Sequence, residues 1–240
     1  MLSLERRIFV FMSRIAFNNN KGKWLIGIGE AAVFELQDAS KLETANAFIE
    51  SNRGATLFVA ISYDLGKSLL NTQTKKANNS FPLLRIWRAN QVYEQQNDQL
   101  QLLEGEDTVD ARDLAKACFS PSNEELPNVN WKARESKETY LKNVRLLQDE
   151  IQQGNIYEIN YCQEFYAENV IDFPTKAIYQ ALNKLAAPPF SFFWENDLWK
   201  VVSASPERFF QLKGTQLLSQ PIKGTAKRGS TIEEDEAIKH

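Results

Sequence analysis

Apolar and polar positions alternate along this chain in two ways, as short apolar runs between turns and as longer periodic segments. In the first third, Trp24-Leu-Ile-Gly-Ile-Gly29 and Ala32-Val-Phe-Glu-Leu36 are apolar runs separated by a glycine-containing turn, which predicts two strands. Leu42, Ala45 and Ile49 recur at helical spacing within Lys41–Ser51, and Leu57-Phe-Val-Ala-Ile61 predicts a buried strand. The polar stretch Asn71–Ser80 predicts a loop. Leu83–Trp87 and Gln91–Tyr93 predict sheet, followed by a turn at Asn97-Asp98 and a short strand over Leu100–Leu103. From Glu104 to about Glu135 the periodicity fades, and Ser120-Pro-Ser-Asn123 with Pro127 predicts a surface connection. A soft boundary there separates residues 1–130 from 131–240.

The second part is patterned more sharply. Ser136 is a candidate N-cap with Glu138 in the first turn, and Tyr140, Val144, Leu147 and Ile151 then line one helical face. Gly154 stops this helix in the manner of a left-handed C-terminal cap. Ile156–Phe165 predicts a strand with Tyr157, Ile159, Tyr161 and Phe165 on one side and Glu158, Asn160, Cys162 and Glu164 on the other. A second helix is expected from Pro174, with Ile178, Leu182 and Leu185 in register. After Pro188-Pro189 the chain predicts a β-meander: Phe190–Trp194, Leu198–Ser203, Arg208–Leu212 and Thr215–Ile222, with turns at Glu195–Asp197 and Lys213-Gly214. Helices interleaved with runs of antiparallel strands make the expected class α+β. Thr231-Ile-Glu-Glu234 is a capping box whose helix runs only to His240, the pattern of a polypeptide cut at its C-terminus.

Composition narrows the function. A hydrophobic share of 43% fits a soluble globular chain, and a net charge of -3 gives no general attraction to nucleic acid, so no nucleic-acid partner is expected. The only histidine is His240, so a Ser-His-Asp triad within the chain would need the last residue as its base. Cys118 and Cys162 are too sparse for a disulfide framework or metal-ligand spacing, and a reducing cytoplasm is expected. The apolar run Ile8–Met12 is shorter than the roughly 7–15 residues of a signal peptide or the roughly 20 of a membrane span, so no membrane segment is expected.

Three clusters could carry chemistry: Glu158 with Asn160, Ser205-Pro-Glu-Arg208, and Pro221-Ile-Lys-Gly-Thr225 with Lys227 and Arg228. By pattern alone each has an ordinary reading, as a solvated sheet face, a turn and a wet lysine. Glu207 and Lys223 flank the predicted hairpin near its open end. A three-residue loop over 213–215 would set Glu207 opposite Pro221 and put Lys223 on the Glu207 face. A strict two-residue loop would separate them, unless a bulge near Pro206 or Pro221 resets the alternation. A carboxylic acid beside a desolvated amine could serve as proton donor and nucleophile.

Ser136–Gly229 resembles the chorismate-binding enzymes over almost its whole length. The markers are Gly154-Asn-Ile-Tyr-Glu-Ile-Asn160, Ala187-Pro-Pro-Phe190, Ser203-Ala-Ser-Pro-Glu-Arg-Phe209 and Pro221-Ile-Lys-Gly-Thr-Ala-Lys-Arg-Gly229. Ile61-Ser-Tyr-Asp-Leu-Gly66 and Phe81-Pro-Leu extend the likeness more loosely upstream. The resemblance implies a layered α/β/β/α fold with packed antiparallel sheets, residues 1–130 being its variable amino-terminal part and 131–240 the first part of its catalytic core. Within the family, the lysine of PIKGT is similar to the aminodeoxychorismate synthase form, which leads to p-aminobenzoate and folate, whereas anthranilate synthases usually carry a small residue there.

That likeness implies that Lys223 attacks chorismate at C2, that Glu207 protonates the departing C4 hydroxyl, and that ammonia from a separate glutamine amidotransferase subunit completes the exchange. It also implies substrate contacts from Glu158, Asn160, Ser205, Gly224 and Thr225. Glu158 departs from the family pattern, where glutamine or lysine is usual. Family members are longer, and their Mg²⁺-binding glutamates belong to a part absent here, so the resemblance implies Mg²⁺ with no metal ligand in this chain. The isolated chain is therefore expected to be inactive. Anthranilate synthesis, a non-catalytic module that docks an amidotransferase, and a piece with no independent function remain open.

Overall fold

The computed structural model describes residues 13–18, 22–70, 72, 81–170, 173–222, 227 and 229–238. Its main sheet begins with β1 (Arg14–Asn18), which the apolar pattern did not single out, and β2 (Lys23–Ile28). A smaller sheet begins with β3 (Ala32–Leu36). Helix α1 (Thr44–Ser51), β4 (Leu57–Ile61), α2 (Tyr63–Leu69), β5 (Leu84–Arg88), β6 (Gln91–Gln96) and β7 (Gln99–Glu104) follow. Asn97 and Asp98 form the β6–β7 turn with φ of 48° and 62°. Both turn residues must be left-handed in such a two-residue hairpin, a conformation that asparagine and aspartate tolerate. The expected Asn71–Ser80 loop lies almost wholly outside the described residues.

The carboxyl-terminal half adds α3 (Val109–Ala117), the two-residue β8 (Lys132–Ala133), α4 (Lys137–Gln152) and the two-residue β9 (Phe165–Tyr166). Then come α5 (Thr175–Ala186), β10 (Phe190–Glu195), β11 (Lys200–Ser205), β12 (Arg208–Lys213), β13 (Gln216–Gln220) and α6 (Ile232–Ile238). Six strands form an antiparallel sheet in the order β11-β10-β1-β2-β6-β7, joining strands from both sides of residue 130. A second antiparallel sheet has the order β3-β5-β4.

Alternation in the strands sorts side chains into layers. Ala16, Ile26, Ile28, Tyr93 and Phe193 face Ala111, Ala115 and Cys118 of the α3 segment and Tyr179 of α5. From the opposite face Ile15, Val92 and Trp194 meet Phe58 and Trp87 of the smaller sheet. The far side of that sheet buries Leu36, Leu84 and Ile86 against Ala45 of α1 and Leu65 of α2. The result is the expected α/β/β/α layering. The sheets approach closely at Gly27, where a Cβ would stand 2.5 Å from the Phe58 ring. Trp87 and Trp194 stack between them with centroids 4.8 Å apart.

Local signals explain most helix ends. The Ser136 hydroxyl accepts the Thr139 N–H at 3.2 Å, and Gly154 takes φ 79° after the last turn of α4. Thr231 accepts the Glu234 N–H at 3.2 Å, but the Glu234 carboxylate reaches the Ser230 N–H rather than that of Thr231.

Four expectations need correction. The strand predicted over Ile156–Phe165 is irregular up to Glu164, and only Phe165–Tyr166 pairs, with Lys132–Ala133. Alternation is local, whereas a ladder needs a neighbour, and here the neighbour is two residues long. The segment predicted as a connection contains α3, capped by Thr108, whose buried residues Ala111, Ala115 and Cys118 have little apolar contrast. Helix α5 takes Pro174 as its N-cap residue and buries Thr175, Ala177 and Tyr179, while Leu185 is 86% exposed. Finally, the β12–β13 loop has two residues, Gly214 and Thr215, because Lys213 pairs with Gln216.

Candidate functional site

Strand β11 ends at Ser205, and Ser205-Pro-Glu-Arg208 turns the chain into the β12–β13 hairpin. The Ser205 hydroxyl accepts the Glu207 N–H at 3.3 Å and donates to the Glu207 carbonyl at 3.0 Å, which fixes the backbone of this joint. Ser205 therefore acts here on Glu207.

Near its turn the hairpin pairs Gln211 with Leu218, but at its open end Arg208 pairs with Gln220, so the register shifts by one residue between 208 and 211. Carried to 208 unshifted, the pairing would set Arg208 opposite Pro221, which has no N–H for the ladder. The bulge replaces that pair with Gln220. One further step of the shifted register sets Glu207 opposite Pro221, the alignment that a three-residue loop would have given. A two-residue loop with a bulge reaches it instead.

The Glu207 carboxylate is exposed and accepts the Ile222 backbone N–H at 3.0 Å. It is thus held one peptide before the PIKGT lysine. Lys223, Gly224, Thr225 and Arg228 lie outside the described residues, and Lys227 is exposed.

Glu158 and Asn160 are exposed on the irregular segment beside α4, on a different element from Glu207. The neighbouring Tyr161 anchors that segment: its hydroxyl donates to the Glu135 carboxylate at 2.6 Å and accepts the Asn143 amide at 2.7 Å. The Glu135 carboxylate, as acceptor, pushes the Tyr161 phenol above its usual range. Arg134 clamps both carboxylate oxygens of Glu164 and stacks over Tyr166 at 4.0 Å, holding Glu164 below its ordinary pKa. Tyr157, Ile159 and Phe165 of the predicted apolar side are exposed, whereas Tyr161 stacks on Tyr140 of α4 with ring centroids 5.2 Å apart.

A groove of about 760 Å³ runs between α2, β4 and the hairpin, lined by Val59, Ile61, Tyr63, Lys67, Leu70 and Phe209. It joins two stretches that the sequence singled out separately, Ile61–Gly66 and Ser203–Phe209. Among the described residues no three Asp, Glu, Cys or His side chains converge to hold a metal. They do not fit a Mg²⁺ site. No described helix is long and apolar enough to cross a membrane. Reading by residue type missed the Ile222 amide and the anchoring of Tyr161, since neither leaves a sequence signal.

Comparison with known proteins bears on this arrangement. The anthranilate synthase component I-like protein of Synechocystis is 30% identical over 125 residues, 52% of this chain and 26% of that protein. The aminodeoxychorismate synthase of Streptomyces griseus is 38% identical over 106 residues, 44% of this chain and 14% of that protein. Aminodeoxychorismate synthase component 1 of Klebsiella aerogenes is 36% identical over 105 residues, 44% of this chain and 23% of that protein. The chain thus matches about a quarter or less of these relatives' length. The crystal structure of a 2,3-dihydroxybenzoate-specific isochorismate synthase from Bacillus anthracis superposes with a TM-score of 0.53 at 14% identity, covering 94% of this chain and 53% of that one. At that identity the likeness shows the fold alone. The sequence model of the chorismate binding enzymes matches residues 12–240, and the chain belongs to that family.

Proposed function

We propose that this chain supplies part of the active site of an aminodeoxychorismate synthase component, with Glu207 as proton donor and Lys223 as nucleophile. The supporting observation is the 3.0 Å hydrogen bond from the Ile222 N–H to the Glu207 carboxylate, which holds the acid one residue before the lysine.

In this reading the neutral lysine amine forms a bond to C2 of chorismate, the ring double bond shifts, and the C4 hydroxyl leaves. Hydroxide is a poor leaving group, so the protonated Glu207 carboxyl delivers its proton and water departs. Ammonia then adds at C4, the lysine leaves C2 as the neutral amine, and the new ammonium returns a proton to the Glu207 carboxylate, which restores the enzyme. Ser205 holds Glu207, and Gly224, Thr225, Asn160 and Glu158 contact the substrate. A glutamine amidotransferase subunit supplies the ammonia. Mg²⁺ would have to be held by acidic groups other than the described residues, and there it would neutralise a substrate carboxylate.

In this reading the chain makes no product alone, and aminodeoxychorismate formed by these 240 residues with chorismate, Mg²⁺ and ammonia would overturn that. Anthranilate synthesis is the second reading, favoured by the Synechocystis relative. Fusing the chain to the second half of the Klebsiella aerogenes relative tests the assignment. With chorismate, Mg²⁺ and ammonia the fusion makes aminodeoxychorismate, and Lys223→Ala abolishes it. Anthranilate as the product, or turnover unchanged in Lys223→Ala, defeats the reading.

A further inference from the structure

Arg208 belongs to the singled-out Ser205–Arg208 cluster yet has no part in the proposed chemistry. Its Nε donates to the Gln220 Oε1 at 3.1 Å across the open end of the hairpin. Its guanidinium lies 4.6 Å from the centroid of Phe190, the β10 residue paired with Ser205. One side chain therefore ties β12 to β13 at their open end and lies against Phe190 of the six-stranded sheet. Arg208 also stands at the register shift, opposite Gln220. The hairpin has no buried residue in either strand, so apolar packing does not select between the shifted and unshifted pairings.

We infer that Arg208 is the positioning residue of this site: where Pro221 only denies the unshifted pairing an N–H, the Arg208 bond to Gln220 and its stacking on Phe190 hold the shifted register and so deliver the Glu207 carboxylate to the Ile222 amide. The inference deepens the proposed function and rests on Glu207 being the acid. Lysine cannot replace arginine in this role, because an ammonium lacks the planar face that stacks while an edge N–H donates.

Amide hydrogen exchange of the 240-residue chain, resolved by residue with NMR, tests it. In Arg208→Ala the Ile222 amide exchanges about tenfold faster, the scale of one lost hydrogen bond to a charged acceptor. The amides of Gln211, Lys213, Gln216 and Leu218 stay within about twofold, as the unshifted part of the ladder persists. Arg208→Lys behaves like Arg208→Ala. Glu207→Gln, which keeps an acceptor oxygen, retains most of the protection, and Glu207→Ala loses it.

Three results overturn the inference: an unchanged Ile222 amide in Arg208→Ala, uniform loss of protection along the hairpin, or full rescue by lysine. A uniform loss would make Arg208 a general clamp. If the Ile222 amide responds as expected but the fused enzyme makes no aminodeoxychorismate, the synthase reading fails while the placement of Glu207 by Arg208 stands.

Discussion

Phe193 and Phe209 are the same residue type on neighbouring stretches of the chain, yet one is 0% exposed and the other 81%. Phe193 sits in β10, where α5 and the flanking strands cover it. Phe209 sits in a hairpin that also leaves Phe210, Leu212, Leu217 and Ile222 exposed. The difference shows which parts of the fold complete themselves. Four layers close over the sheets built from β1–β7 with β10 and β11, whereas β12, β13 and α4 have apolar positions and little to cover them. A two-stranded ribbon gains little from its own ladder and depends on what packs against it. Glu207, proposed as the acid, belongs to the open region, in a chain that covers 53% of its structural neighbour.

The contrast can be broken first at its buried side. Phe193→Ala should cost about 3–5 kcal/mol in denaturant unfolding, the usual range for emptying a closed core site. A loss near zero would mean that the layers are not closed in solution.

A smaller effect comes from pH. Burial pushes the Cys118 thiol up to about 11, from an ordinary value of 9.0. Between those values the unfolded chain releases the thiol proton while the native chain retains it. The contribution is therefore full below pH 9.0 and is lost as pH rises through about 11, on the order of 2–3 kcal/mol in all. Unfolding of the wild type and Cys118→Ala across this window isolates it, since the variant should lack this part of the alkaline fall. Parallel curves would contradict the burial of Cys118.

The smallest change in stability is expected on the open side. Phe209→Ser should shift unfolding by less than about 0.5 kcal/mol, because the ring is already in water. It should nonetheless lower binding of a hydrophobic dye, because it removes part of an exposed apolar patch. A loss comparable with that of Phe193→Ala would show that the hairpin is covered in solution.

The same contrast explains what the sequence revealed. Ala32–Leu36 and Leu57–Ile61 were legible to the residue because their apolar runs coincide with whole strands, but Val33, Val59 and Ile61 are exposed, so Leu57–Ile61 is buried on one face and not on both as its pattern predicts. Ser136 and Gly154 declared both ends of α4 through cap chemistry. Helix α3 was hidden because alanine and cysteine fill its buried face, and its cap, Thr108, lies among acidic residues that read as loop. For Ile156–Glu164 the alternation was present, but pairing depends on a partner that local pattern does not reveal. At the site, Glu207 stood out by type and motif. The bulge that aligns it did not, because the missing N–H of Pro221 and the Arg208–Gln220 bond act on it only once the hairpin register is set. Glu158 and Asn160 stand in the Gly154–Asn160 motif, on an exposed segment that is a different element from the one carrying Glu207.

The central claim is that Lys223 and Glu207 act on one chorismate molecule. Its most direct test is intact-mass and peptide mapping of the fused enzyme, incubated with chorismate and Mg²⁺ but without ammonia. The account predicts an adduct of chorismate less one water on the peptide containing Lys223, absent in Lys223→Ala and strongly reduced in Glu207→Gln. An adduct on another residue, or an unmodified Lys223 in an enzyme that still makes product once ammonia is added, would contradict it.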